Sequence, residues 1–291
     1  MKIFWTFILV GLTTVSCDIK GVESSNEEAN NSEETIILEE KEGITSDSII
    51  KQVEIVVDKA NDTLRLDNGI TITYFKKGKG EKLKKDEIVK IDYRAKLEDG
   101  TIYDGNHMVK KPTIPFLVGW NQQTSGWDIA LQELRVGDDV DIFLPAKFAR
   151  GEKGIKGIVP PNANNVISMR VKERFEPTAE VDGVKIWKYD ELKTPGDSIK
   201  KYDKVRINYW VSSETNPRYD NSYRTGEEYK MTIGDGNSVS GLSKALQFGR
   251  EGDRLMILIP SKEAFGQEGL IEMVKPGEDI FYDVQISEIV N

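Results

Sequence analysis

Two long stretches of this chain repeat one another. Val89-Lys-Ile-Asp-Tyr93 parallels Val205-Arg-Ile-Asn-Tyr209, and Tyr103-Asp104 parallels Tyr219-Asp220, both at an offset of 116 residues. Further along the offset is 115, pairing Gly119 with Gly234, Gly126 with Gly241, Gly137 with Gly252, Pro145 with Pro260, Gly154 with Gly269 and Pro161 with Pro276. A drift of one residue over so many matches reads as a single loop deletion. Solenoid periods run to about 20–50 residues, so a unit this long is a duplicated, self-sufficient domain. Glu176-Pro177-Thr178-Ala179-Glu180 is the natural junction, short enough to limit relative motion without abolishing it.

Local patterns agree between the copies. Val89, Ile91 and Tyr93 alternate with charged residues, as do Val140, Ile142 and Leu144, which marks strands with one buried face. Val53, Ile55 and Val57 alternate too and suggest a strand entering the folded region. Glu98-Asp99-Gly100 signals a tight hairpin, and the charged run Lys76–Lys82 another. Trp127, Ala130, Leu131 and Leu134 fall at i, i+3, i+4 and i+7, predicting one short helix with Gly137 just past its end. Leu242, Ala245 and Leu246, then Gly249, repeat this in the second copy. The expected fold is α+β: two domains, at 49–176 and 180–291, each a curved antiparallel sheet wrapped around one short helix.

Composition removes most catalytic machinery. One Cys excludes a disulfide framework or multi-Cys metal cluster, and one His, His107 in a polar loop, argues against a His-built metal site or catalytic triad. The formal charge of −9 leaves no basic footprint for nucleic acid. No metal or organic cofactor is implied, so chemistry has to come from shape, hydrogen bonds and apolar surface.

The N-terminus points out of the cytoplasm. Lys2 precedes the apolar run Ile3–Leu12, and small residues lead to Cys17. This is shorter than the roughly 20 residues of a spanning helix and matches a secretory signal over residues 1–17. Its end resembles the lipobox of bacterial lipoproteins, although Thr14 stands where that pattern usually has Leu. On that reading Cys17 carries acyl chains and the protein is exported, lipid-anchored to a bacterial membrane and facing the periplasm or cell surface. The alternative is an ordinary secreted protein with an incidental cysteine. Residues 18–48 carry ten acidic side chains against two lysines and few large apolar groups, an expected disordered tether.

The first copy resembles the FKBP-type peptidyl-prolyl cis-trans isomerases. The resemblance is carried by Val89–Tyr93, Leu97-Glu-Asp-Gly-Thr-Ile-Tyr-Asp104, Phe116-Leu-Val-Gly119, Gly126-Trp127, Leu134-Arg-Val-Gly137, Gly151-Glu-Lys-Gly154 and Gly157-Ile-Val-Pro-Pro-Asn-Ala163, in family order and spacing. The second copy matches more faintly, mainly through the repeat. The implied reaction fits the sparse machinery. Rotation about an Xaa-Pro bond needs no nucleophile, only an apolar cavity that fits the twisted prolyl unit better than either planar form. The implied clients are proline-containing polypeptides.

By the same resemblance Trp127 is the floor under the proline ring, Tyr93 and Tyr103 are walls, and Asp104 hydrogen-bonds within the pocket. Phe116, Ile158, Val159, Arg150 and Ile167 complete the substrate surface, with the Thr124 N–H holding a substrate carbonyl. Arg150 stands where the family usually has Tyr, and Ile167 where it usually has Phe. The second pocket would be Tyr209, Tyr219, Asp220, Met273 and Val274, with Phe265 at the position of Arg150, Tyr282 at that of Ile167, and Leu242 as floor. Set against this, Trp127 taken without the surrounding motifs reads as a helix core residue, a reading those motifs reverse, and Asp104 and Asp220 read equally as turn carboxylates. At the level of function the alternative is a non-catalytic chaperone or binding module built on worn isomerase folds.

Overall fold

The computed structural model describes residues 62–189 and 196–290. The signal-like run, Cys17, the acidic stretch and the alternation at 53–57 lie outside the described residues.

The first copy contains β1 (Asp62–Arg65), β2 (Thr71–Lys76), β3 (Ile88–Leu97), β4 (Ile102–Gly105), β5 (Ile114–Leu117), helix α1 (Ser125–Leu131), β6 (Asp139–Leu144) and β7 (Asn165–Arg174). The second contains β8 (Ala179–Val181), β9 (Val184–Tyr189), β10 (Lys204–Ser213), β11 (Asp220–Asn221), β12 (Tyr229–Thr232), α2 (Ser240–Leu246), β13 (Arg254–Ile259) and β14 (Ile280–Val290). All strand pairings are antiparallel. The order β1-β2-β6-β7-β3-β4, with β5 on β3, returns in the second sheet as β8-β9-β13-β14-β10-β11, with β12 on β10. Even the register shift recurs, between Lys90 and Ile91 against β7 and between Arg206 and Ile207 against β14. A bulge at the same place in both copies bends each long strand alike.

The hairpin at Glu98–Gly100 forms as expected: Gly100 takes φ +87°, and its N–H donates to Leu97 O at 3.0 Å. The Lys76–Lys82 run does not form a hairpin. It follows β2, which pairs with β1 and β6, and crosses to β3, whose partners are β4, β5 and β7. Gly78 N–H is held by Asp138 Oδ1 at 2.6 Å on the way.

Helix α1 is one turn shorter than its apolar pattern, whereas α2 spans all of Leu242, Ala245 and Leu246. α1 ends at Leu131, and Leu134 is reached through tighter i+3 hydrogen bonds, Glu133 N–H to Ala130 O and Leu134 N–H to Leu131 O, both 2.9 Å. Leu134 is still buried, so the spacing reported the core face correctly while overstating the helix. The helices press hard on their sheets. A Cβ on Gly126 would lie 2.6 Å from Phe148 O, and one on Gly241 would lie 2.3 Å from Ile259 Cγ2. Each copy thereby owns a core, around Ile72, Ile91, Leu131 and Ile142 in the first and Ile186, Ile207, Leu246 and Ile257 in the second.

The two sheets differ on their outer faces. In the first, that face carries Thr73, Asp139, Asp141, Ser168 and Arg170, joined by an Arg170–Asp139 contact at 2.6 Å. In the second it carries Trp187, Met256, Leu258 and Phe281, which form a third buried cluster with Ile88, Leu117 and Trp120 of the first copy. Trp120 is fully buried, packs 6.1 Å from Phe281 centroid to centroid, and donates through Nε1 to Asp86 Oδ1 at 2.7 Å. Lys85 pairs with Glu214 at the same seam. Above the apolar cluster lies a buried ion pair, Arg254 to Asp283 through bonds of 2.9 and 3.0 Å, with the Tyr189 hydroxyl donating to the same carboxylate at 2.7 Å. Burial pulls the Arg254 pKa down, but Asp283 outweighs it and holds the guanidinium charged. Trp187 is buried and Tyr189 half-buried in this packing.

Candidate prolyl site

The long strand β3 brings Tyr93 inward, and the hairpin returns β4 so that Asp104 faces it. The Tyr93 hydroxyl donates to Asp104 Oδ2 at 3.1 Å, and Tyr209 donates to Asp220 Oδ2 at 2.6 Å in the second copy. Asp104 also accepts from the Gly105 N–H at 2.8 Å, so its turn role and its pocket role coexist. Burial, followed by the charge and hydrogen bond of Asp104, raises the Tyr93 pKa; burial, then the Asp220 bond, does the same for Tyr209. Both phenols stay protonated donors.

Trp127 lies in the first turn of α1 between two aromatic partners. Phe116 stacks on it at 5.4 Å with 22° between planes, and Tyr93 meets it edge-on at 5.1 Å and 81°. Asp128 fixes this turn. Its Oδ1 accepts from Gly119 N–H at 2.8 Å and its Oδ2 from Asn121 N–H. Ser243 replaces it in the second copy, accepting from Gly234 N–H at 2.6 Å. Thr124 is the extended residue before the helix; its carbonyl accepts from Trp127 N–H at 3.0 Å, and its own N–H donates no hydrogen bond among the described residues.

A family model described as FKBP-type peptidyl-prolyl cis-trans isomerase matches residues 79–172 and again 196–287. The chain belongs to this family. It is 24% identical over 208 residues to the peptidyl-prolyl cis-trans isomerase FKBP10 of Mus musculus, covering 70% of this chain and 35% of that protein. Against the FKBP10 of Homo sapiens it is 26% identical over 208 residues, and against the FKBP9 of Mus musculus 25% over 207, with 70% of this chain covered in each case and 34% and 35% of those proteins. The chain therefore spans about a third of the length of these curated relatives. A crystal structure of the three FKBP domains of wheat FKBP73 aligns with 77% of this chain and 96% of its own, at 21% identity and a TM-score of 0.39.

Within this tandem FKBP chain the expected residues gather unevenly. Tyr93, Trp127, Phe116, Ile167 and the partly buried Tyr103 belong to one core cluster. Val159 is buried at the base of a small loop closed by reciprocal Ile155 and Val159 backbone bonds of 2.8 Å, while Ile158 at its tip is exposed. Leu270 and Val274 repeat that loop with bonds of 2.8 and 2.9 Å, and Met273 is the exposed tip. Leu242, Val274 and Tyr282 are buried in the second core, with Tyr209, Tyr219 and Phe265 packed against it. His107 is exposed.

Both expected floor residues are buried, Trp127 at 5% exposure and Leu242 at 2%. Two surface recesses, of about 260 and 280 Å³, lie elsewhere. The first is lined by residues of β10 and β12 including Lys204, Arg206 and Tyr229, the second by Phe75, Asp139, Asp141, Ser168 and Arg170. Phe116 and Tyr93 pack directly against the indole.

Sequence reasoning passed over several residues that shape the site. Asn106 is buried and accepts from Tyr93 N–H at 2.7 Å; Ser222 takes its place and accepts from Tyr209 N–H at 3.0 Å. Tyr103 donates to Asn165 Oδ1 at 3.0 Å, whereas Ile280 stands at the matching position and leaves the buried Tyr219 hydroxyl without a partner among the described residues. Tyr229 packs edge-on to Tyr209 at 5.8 Å, and Tyr282 lies 5.6 Å from it. The 116- and 115-residue offsets, followed residue by residue, expose the Asn106–Ser222 and Asn165–Ile280 exchanges.

Proposed function

We propose that the chain is a peptidyl-prolyl cis-trans isomerase for exported polypeptides, acting chiefly through its first copy. The observation that carries this is the convergence of Phe116, Tyr93 and Trp127 with the Tyr93–Asp104 hydrogen bond. A prolyl ring against the Trp127 face is held in apolar surroundings, which remove part of the solvation advantage of the planar amide. Asp104 and the Thr124 N–H supply polar contacts at the edge of that space. Only contacts tighter on the twisted amide than on either planar form accelerate the step, and each ~1.4 kcal/mol of such difference is about tenfold in rate. Tyr209, Tyr219, Asp220, Leu242, Phe265, Met273, Val274 and Tyr282 form the second, weaker site, because Leu242 offers no aromatic face.

Exchange NMR on Xaa-Pro peptides tests the reading; absence of acceleration by the chain sinks it. The tight enclosure of Trp127 favours a second reading, a module that holds unfolded segments without turnover. Suppression of aggregation of a proline-free client, unchanged by Trp127→Leu, distinguishes it. Export and acylation at Cys17 belong to the same proposal, and Cys17→Ser should abolish palmitate labelling and membrane retention.

A further inference from the structure

We infer that the mouth of the first site selects prolines flanked by an acidic residue, with Arg150 as the selecting group; this rests on the isomerase or holding function proposed above. Arg150 lies beside Tyr103, and its Nη2 donates to the neutral Gln123 Oε1 at 2.9 Å. Among the described residues it forms no ion pair. A guanidinium carries five donors in a fixed fork suited to a carboxylate. Here it is partly buried beside an aromatic cluster, with Gln123 and Tyr103 as its hydrogen-bonding neighbours. A client carboxylate reaching this point completes a pair in surroundings drier than water, where charge-assisted bonds are strongest.

A second cation reinforces it. Arg218, on the loop between β10 and β11, stacks over Trp210 at 5.1 Å, on the face of the second sheet that meets the first copy. It lies close enough to Arg150 that, after burial, Arg150 is the next influence depressing its pKa. The second copy lacks this arrangement, since Phe265 stands at the position of Arg150. The selectivity therefore belongs to the first site and borrows charge from its neighbour.

The test uses the full chain and short peptides differing only in the residue before proline, Glu, Gln or Lys, followed by exchange NMR and by shifts of the Trp127 indole signal on titration. Glu-Pro should exceed Gln-Pro by about fivefold in rate or affinity, the size expected of one charge-assisted contact, and Lys-Pro should fall below both. Arg150→Gln should bring the Glu/Gln ratio to near one, Arg218→Gln should lower it, and added salt should weaken it. A ratio at or below one in the unaltered chain, or a ratio untouched by both variants, overturns the inference. Catalysis or binding of all three peptides alike leaves the isomerase reading standing while this one falls; no turnover of any peptide sinks the isomerase reading, and the titration still reports the charge preference.

Discussion

The Tyr93 hydroxyl reaches Asp104 across the β3–β4 hairpin at 3.1 Å, and its duplicate, Tyr209 to Asp220, closes to 2.6 Å. A partly buried phenol–carboxylate bond is worth about 1.5–3 kcal/mol when one partner is charged. Tyr93→Phe and Asp104→Asn should each destabilise the chain by about 1–2 kcal/mol, with a double variant losing less than the sum. Denaturant unfolding of the four species measures the coupling, and additivity would show that the bond contributes nothing.

Leu242 supplies a natural control for the indole. Trp127→Leu copies the floor of the second site into the first while keeping an apolar side chain between Phe116 and Tyr93. Prolyl exchange should fall about tenfold or more, with the fold retained in circular dichroism. The reciprocal Leu242→Trp should not restore it, because Tyr209, Tyr229 and Tyr282 already crowd that region.

Asp128 makes stability depend on acid pH. Burial raises its carboxyl pKa, with the Gly119, Asn121 and Trp120 N–H groups pulling the other way. The native state thus holds this proton more tightly than the unfolded chain. Its contribution is fully present below the unfolded carboxylate range and is lost as pH rises through the higher native value. Asp128→Ser, the residue found at Ser243, should remove that component. Unfolding free energies of the two proteins, compared from acidic to neutral pH, should diverge with a pH slope; parallel curves refute the assignment.

The seam between the copies should behave as core. Trp120→Ala removes a fully buried indole and should cost about 3–5 kcal/mol, and Asp283→Asn, which strands the Arg254 charge, a similar about 3–5 kcal/mol. Calorimetry should show one cooperative transition for the unaltered chain and two for Trp120→Ala. Two transitions in the unaltered chain would mean the seam does not couple the halves.

Much of this architecture is legible in the chain itself, because a one-faced strand and a hairpin are local. Val89, Ile91 and Tyr93 alternate and lie inward; Glu98–Gly100 turns where the motif says. The seam was legible too, in a signal easily passed over. Asp139-Val-Asp-Ile-Phe-Leu144 alternates, whereas Arg254-Leu-Met-Ile-Leu-Ile259 is apolar almost throughout and is buried along its whole length. A continuous apolar run marks a strand covered on both sides. What resists sequence reading is the pairing of distant polar groups: Asn165 under Tyr103, Asn106 on Tyr93, Gln123 on Arg150. Each joins residues brought together only by the folded sheet, and local pattern carries no record of them. Nor does pattern fix how tightly Phe116 and Tyr93 close over Trp127.

Trp120 follows Phe116 by four positions, so the segment that delivers an aromatic ring to the indole is clamped at its far end by Leu258 and Phe281. A duplicate that had lost every trace of turnover would keep a mechanical duty as the brace of its working twin. Cutting the chain at its midpoint would loosen the surviving half as well as discard the other.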